Sequence, residues 1–231
     1  MADFPPNLSI RPLTIEDLPQ CVALENSRYP LGERCSEEQF KYRLTVCPEL
    51  CSGLFVRKYG YKYNAVNLPE VIEQLEKDMN DKEGDATKSG KDGEPDCVDV
   101  PTKLSVVKET LIGHTIATKS YTERITVASM ALPLKDDPTR GHVEQSRYIG
   151  VHSLVVDNKW RGKNLGTLLM HDYIQKLSNQ DLGSKVVIIA KEELVSFYEK
   201  IGFVNHGQSE CQHGDATWYD MSIDLVPQED E

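Results

Sequence analysis

The sequence predicts a mixed α/β (α+β) fold. Two observations carry this. From Tyr148 to Ala190 an apolar strand, an amphipathic helix and a second apolar strand follow one another, and a unit of that kind makes its two strands parallel neighbours. Elsewhere, short runs rich in β-branched and aromatic residues alternate with helix-start signals. At 231 residues the chain fits one domain, 1–231, carrying an insertion.

The elements follow in order. LSIRPL (8–13) reads as a strand. Thr14 caps a helix over IEDLPQCVALEN, with Asp17 as its capping-box partner. Ser36, followed by Glu37 and Glu38, opens a second helix that Pro48 stops. SGLFVRKY (52–59) is a strand, and ETLIGHTIATKSY (109–121) resumes the sheet. Between them lies an acidic insertion, about 60–108; residues 67–103 hold eleven Asp or Glu against five Lys or Arg. VIEQLEKDM within it reads as a short helix. About 80–100 is too polar to offset the entropy of ordering, so disorder is expected there.

Residues 122–132 fit no single pattern, and KDDPTRGH (135–142) is a loop. YIGVHSLVVD (148–157) is a buried strand. GTLLMHDYIQKL (166–177) is an amphipathic helix with Leu168, Leu169, Tyr173, Ile174 and Leu177 on one face. KVVIIA (185–190) is apolar throughout, as a strand covered on both faces should be. EELVSFYEK (192–200) is helical and closed by Gly202. ATWYDMSIDL (216–225) alternates as a final strand.

Composition narrows the function. A net charge of -11 argues against general nucleic-acid binding, which needs a basic footprint. No apolar stretch approaches the roughly 20 residues of a membrane span, and the N-terminus lacks a signal-peptide pattern. The six cysteines include no CxxC pair, so neither a zinc nor a redox site is expected. Reduced thiols in a cytoplasmic protein are expected instead.

Against this acidic background, LVVDNKWRGKNLGTLLM places Lys159, Arg161, Lys163, Gly162 and Gly166 at one strand-to-helix junction. A helix start exposes unpaired backbone N–H groups and a partial positive charge, so an anion gains hydrogen bonds and a favourable field there. The junction reads as a phosphate cradle or as a tight turn. It is neither GxxxxGK[ST] nor GxGxxG.

VVDNKWRGKNLGTLLM resembles motif A of the GNAT superfamily of N-acetyltransferases, the turn [RQ]-x-x-G-x-[GA]. Arg161 stands first, Gly166 last, and Asn164 replaces the middle glycine. Asn tolerates left-handed backbone better than most residues. LVSFYEKIGF (194–203) resembles the superfamily's motif B. LTIEDLPQCVALE, LTVCPELCSGLFV and the HSLVV strand are similar to the arylalkylamine (serotonin-type) N-acetyltransferase branch, and most similar to fungal polyamine or arylalkylamine acetyltransferases.

The resemblance implies a central, mostly antiparallel sheet with a parallel β-α-β site for acetyl-CoA. Leu154, Val155 and Val156 would hold the pantetheine arm; Arg161, Gly162, Lys163, Asn164, Leu165, Gly166 and Thr167 would hold the pyrophosphate. Tyr198 would touch the cofactor and protonate the departing thiolate. His152, two residues before Leu154 and therefore expected on the same strand face, would relay the amine proton. Gly150 stands where the vertebrate branch has a second histidine, so His152 would act alone or with Glu33 or Glu25. The other histidines, His114, His142, His171, His206 and His213, are expected at the surface.

Tyr29, Pro30, Leu31 and Glu33 on one loop, and Cys47, Pro48 and Glu49 on another, would bind the amine. The implied activity is acetyl transfer from acetyl-CoA to a polyamine or arylalkylamine by direct attack in a ternary complex. No metal is implied, and the expected state is a monomer. Acetylation of protein N-termini or lysines, or CoA binding without turnover, are the alternatives.

Overall fold

The computed structural model describes residues 4–61 and 104–226. Its described strands are β1 (Leu8–Pro12), β2 (Ser52–Tyr61), β3 (Leu104–Ser120), β4 (Tyr148–Val156), β5 (Lys185–Lys191), β6 (Val204–Gln208) and β7 (Trp218–Asp224). The α-helices are α1 (Leu18–Arg28), α2 (Glu37–Val46), α3 (Val127–Met130), α4 (Leu165–Asn179) and α5 (Glu192–Ile201). The chain divides into two compact units, Met1–Val56 with Thr110–Glu231, and Arg57–Glu109. In the smaller unit, Arg57 Nε donates to Glu109 Oε1 at 2.8 Å. The expected helix over 71–79 and the expected disorder of 80–100 lie outside the described residues.

The sheet order is β1-β2-β3-β4-β5-β7-β6. β1 with β2, β3 with β4, β5 with β7 and β6 with β7 are antiparallel, and β4 with β5 is parallel. The mixed, mostly antiparallel sheet with one β-α-β crossover is therefore present.

Local chemistry explains the helix starts. Ser36 Oγ accepts from the Gln39 amide at 3.2 Å while Gln39 Oε1 accepts from the Ser36 amide at 2.8 Å, a reciprocal capping box. Thr14 and Asp17 form a second box, but it opens a 3-10 turn, Ile15–Asp17. The α-helix proper starts at Leu18, with Pro19 in its first turn, where a missing N–H costs nothing. α3 falls in the stretch whose pattern was ambiguous. β6 was not expected: it is a short, exposed edge strand with a glycine and no apolar alternation.

Two apolar layers cover the sheet. On one face Ile149 and Val151 pack against Met170, Tyr173 and Leu177 of α4, with Tyr198 and Ile201 of α5. On the other, Ile116 and Val155 pack against Cys21 and Leu24 of α1 and Phe40 and Leu44 of α2. Each fully buried leucine or phenylalanine contributes about 1.5–3 kcal/mol. Cys21, Cys35, Cys47, Cys51 and Cys211 are free thiols. No described helix is long and apolar enough to cross a membrane.

Candidate active site

Two features of β4 create the site. First, β4 and β5 pair only at Tyr148↔Lys185, Ile149↔Val186 and Gly150↔Val187, although the strands run on to Val156 and Lys191. Beyond the last rung they splay, and backbone groups of β4 that a full sheet would pair are left facing a gap. Second, the register with β3 slips between Ile116↔Ser153 and Ala117↔Val151, so His152 is an extra residue in β4. Such a bulge resets the alternation of side chains.

The bulge corrects one sequence expectation. Ile149 and Val151 face α4, and so, after the bulge, do Leu154 and Val156, which pack on Leu165 and Leu169. His152 does not share their face. It lies with Gly150, whose added Cβ would sit 3.5 Å from the His152 ring, and with the side of the sheet that carries α1 and α2. A Cβ at Gly150 would stand 2.8 Å from Ile125 Cδ1, so a second histidine there would require the Ile125 side chain to shift.

On the α4 side of the splay lies an open cleft of about 340 Å³, lined by Leu154, Val156, Arg161, Gly162, Asn164, Leu165, Gly166, Thr167 and Tyr198. Asn164 takes left-handed backbone (φ 57°, ψ 20°) and leads into α4 without capping it by its side chain. The first amides of α4 are thus not used by the side chain that usually satisfies them. Gly162 also has positive φ, 75°, and a Cβ there would meet no atom within 4 Å. The floor of the turn is bare backbone, as close approach by an anion requires. Extended, anionic and partly apolar is the ligand description that fits this cleft.

Val155 and Lys163 do not line the cleft; Val155 is buried against the α1–α2 layer. Arg28, Trp160, Leu194 and Phe197 line it and were not anticipated. Arg28 Nη1 donates to Asn158 Oδ1 at 2.9 Å and so ties the end of α1 to the turn after β4. Nothing in residue type announces that contact, because it joins segments far apart in sequence.

Next to the cleft lies a small pocket of about 40 Å³, lined from both faces of the sheet, by Val151, Ile188 and Tyr198 of the α4–α5 layer and by His152, Ser153 and Ile189. Tyr29, Leu154 and Tyr198 line both cavities and form their common wall. Tyr29 Oη donates to the Leu154 carbonyl at 3.2 Å. Burial pushes the Tyr198 phenol above its usual pKa of 10.0, so it stays a proton donor. His152 opens onto the small pocket, with Nε2 2.7 Å from Thr118 Oγ1 and Nδ1 buried without a hydrogen-bond partner. Burial lowers its pKa well below 6.5, and Arg43 and His213 add to the effect, so the imidazole is neutral at physiological pH.

Glu33 lines the same pocket and pairs with Lys191 Nζ at 2.6 Å. Glu25 lies one layer beneath, accepting from Ser153 Oγ at 2.7 Å and lying 3.3 Å from His114 Nε2. Burial alone would raise its carboxyl, but His114, the Cys35 amide and Ser153 together bring it below 4.5.

Other expected substrate residues sit apart from both cavities. Leu31 is 81% exposed and Pro30 lines neither cavity. Cys47, Pro48 and Glu49 fold under α4: Cys47 is fully buried, Tyr173 Oη donates to the Leu50 carbonyl at 2.9 Å, and Lys176 Nζ donates to the Glu49 carbonyl at 2.8 Å. Of the histidines expected at the surface, the side chains of His114 and His142 are buried, and His213 is half-buried. His114 is 0% exposed, the His142 side chain is 3% exposed, and His213 lines the small pocket with Nε2 3.0 Å from the Glu33 carbonyl. The other unanticipated lining includes Ile125, Met130, Ser153, Ile189 and Trp218. Among the described residues, no group of three or more His, Cys, Asp or Glu is placed to hold a metal ion.

A family model described as an acetyltransferase (GNAT) domain matches residues 87–225. Over 103 residues the chain is 28% identical to serotonin N-acetyltransferase of Mesocricetus auratus, covering 45% of each protein, so it spans about half the length of that curated relative. The loading GNATL domain of CurA from Lyngbya majuscula superposes with a TM-score of 0.60 at 13% identity, covering 94% of this chain and 98% of that one. Naa50 of Arabidopsis thaliana, in complex with the bisubstrate analogue CoA-Ac-MVNAL, superposes with a TM-score of 0.52 at 12% identity, covering 94% and 98%. At these identities the structural matches establish the fold.

Proposed function

Because the chain belongs to the GNAT acetyltransferase family, we propose that it transfers the acetyl group of acetyl-CoA to the primary amine of a small polyamine or arylalkylamine. The observation that carries this is the pair of cavities meeting at one wall, Tyr29, Leu154 and Tyr198, where β4 leaves β5. The cleft on the α4 side suits acetyl-CoA. The amides at the start of α4, with Arg161, bind its pyrophosphate, and the open edge of β4 at Leu154–Val156 binds its pantetheine arm. When bound, acetyl-CoA supplies an activated thioester at the common wall.

The small pocket takes the acceptor. His152, held neutral by burial, accepts the ammonium proton, directly or through water. Backbone N–H groups at the β4 edge polarise the thioester carbonyl. Tyr198, held protonated by burial, delivers a proton to the thiolate as it leaves. Donor and acceptor are bound together, so the amine would attack the thioester carbonyl directly: the C–N bond forms, the C–S bond breaks, and the second proton shed by the nitrogen restores the Tyr198 phenol, leaving the amide and the CoA thiol.

The similarity to serotonin N-acetyltransferase supports a small amine over a peptide. CoA-thiol release from acetyl-CoA tests the reading, with spermine, tryptamine, phenylethylamine and a lysine peptide as parallel acceptors. Turnover with the small amines and not the peptide is expected. Tight acetyl-CoA binding with no release for any acceptor contradicts it and leaves a CoA-binding module.

A further inference from the structure

Beside the acceptor pocket lies a separate cavity of about 260 Å³, whose lining includes Arg124, Ile125, Thr126, Ser209, Glu210 and Asp220. The two cavities share Ile125. Asp220 is 6% exposed, and its Oδ1 is buried without a hydrogen-bond partner. Leaving a carboxylate oxygen in that condition is unfavourable. Its other oxygen lies 3.8 Å from Arg124 Nη1, whose side chain is 62% exposed and leaves Oδ1 unmet.

Position relates this carboxylate to the acceptor. On β7, Asp220 follows Trp218 by two residues, so both side chains project from one face of the strand about 7 Å apart. In register Asp220 stands opposite Ile189 of β5. Trp218 and Ile189 both line the acceptor pocket. The carboxylate already in that pocket, Glu33, is occupied by Lys191 Nζ at 2.6 Å. An acceptor carrying a second cation therefore finds a carboxylate oxygen without a hydrogen-bond partner one step along β7, on an aspartate whose other oxygen faces Arg124.

We propose that Asp220 is a cation subsite that takes the distal ammonium of a di- or polyamine whose reacting amine lies beside His152. The spacer runs across Ile125. The distal ammonium donates to Asp220 Oδ1. This rests on the small-amine reading above and selects polyamines within it.

The test compares putrescine with butylamine, which differ in the second ammonium alone, as acceptors for the full chain and for Asp220→Asn. The wild-type chain is expected to favour putrescine in kcat/KM, chiefly through a lower KM. In Asp220→Asn that preference should shrink by about tenfold to a hundredfold, the worth of one charged hydrogen bond. Circular dichroism, with the butylamine rate, reports that the variant is folded. An unchanged preference, or an equal loss for both acceptors, overturns the subsite. If the wild-type chain acetylates neither amine, the acetyl-transfer reading fails for this class, and calorimetry then decides the subsite independently. Putrescine heats lost in Asp220→Asn uphold it, and equal heats in both proteins overturn it.

Discussion

His152 Nε2 lies 2.7 Å from Thr118 Oγ1, across the bulge that sets β4 out of step with β3. Thr118 is buried, so the contact is shielded from water. When Nε2–H donates to Thr118, Nδ1 is left as a bare lone pair, and this is the tautomer a base requires. Thr118→Val should therefore lower kcat about tenfold to a hundredfold while acetyl-CoA affinity changes little. His152→Gln should lower kcat further, by about 10²–10³. Steady-state kinetics with both substrates varied measure the split, and an equal rise in the acetyl-CoA KM would contradict the assignment.

Tyr198 stands on the wall between the cavities, 8% exposed. Tyr198→Phe keeps the ring's packing and removes the acid, so kcat should fall about tenfold to a hundredfold without loss of fold. Since burial raises the phenol's pKa above 10.0, the wild-type rate should show no alkaline loss below that pH. A falling limb centred below pH 10, present in the wild type and absent in Tyr198→Phe, would contradict this.

Stability should depend on pH in a stated direction. Burial lowers the pKa of His152 from 6.5, and the contacts of Glu25 outweigh burial and lower its pKa from 4.5. Both groups bind fewer protons folded than unfolded, so unfolding takes up protons and stability falls as the pH falls. The His152 contribution is whole above pH 6.5 and declines below it; that of Glu25 is whole above pH 4.5 and declines below it. Urea unfolding should give a free energy that decreases from pH 7 to pH 5, with a shallower slope in His152→Gln. The same slope in both proteins would count against a depressed His152.

Asn164 occupies left-handed backbone at the mouth of α4. Asn164→Val should cost about 1–2 kcal/mol of stability, because a β-branched side chain is strained there. It should also raise the acetyl-CoA KM by distorting the turn. Asn164→Gly should be within about 1 kcal/mol of the wild type and keep the affinity. Thermal unfolding and acetyl-CoA titration check both variants.

Residue patterns made the cofactor side of this fold legible. The period of Leu169, Tyr173 and Leu177, the uninterrupted KVVIIA and the closing Gly202 each dictate a local structure, and α4, β5 and α5 stand where those patterns put them. The acceptor side was far less legible. A bulge is one extra residue, and no side chain in VHSLVV marks it, so alternation put His152 on the wrong face. His114 was misplaced because a histidine inside a strand covered on both faces looks no different from an exposed one. Its burial follows from the helices above it and from Glu25 and Ser153, which reach it across 89 and 39 residues of chain. The Cys47–Glu49 turn resembled a substrate loop in residue type, but Tyr173 and Lys176 hold it under α4. Asp220 gave no signal, since an aspartate in an alternating strand reads as solvent-facing until the neighbouring loop covers it.

In the proposed reading acetyl-CoA lies in the splay of β4 and β5 with its pyrophosphate at the start of α4. Amide NMR of the full chain during titration with acetyl-CoA tests it most directly. Large, saturable shifts are expected at Leu154–Val156 and Gly162–Thr167, with smaller shifts around Tyr198 and His152. Saturable shifts confined to other parts of the chain, or none at concentrations that support turnover, would contradict it.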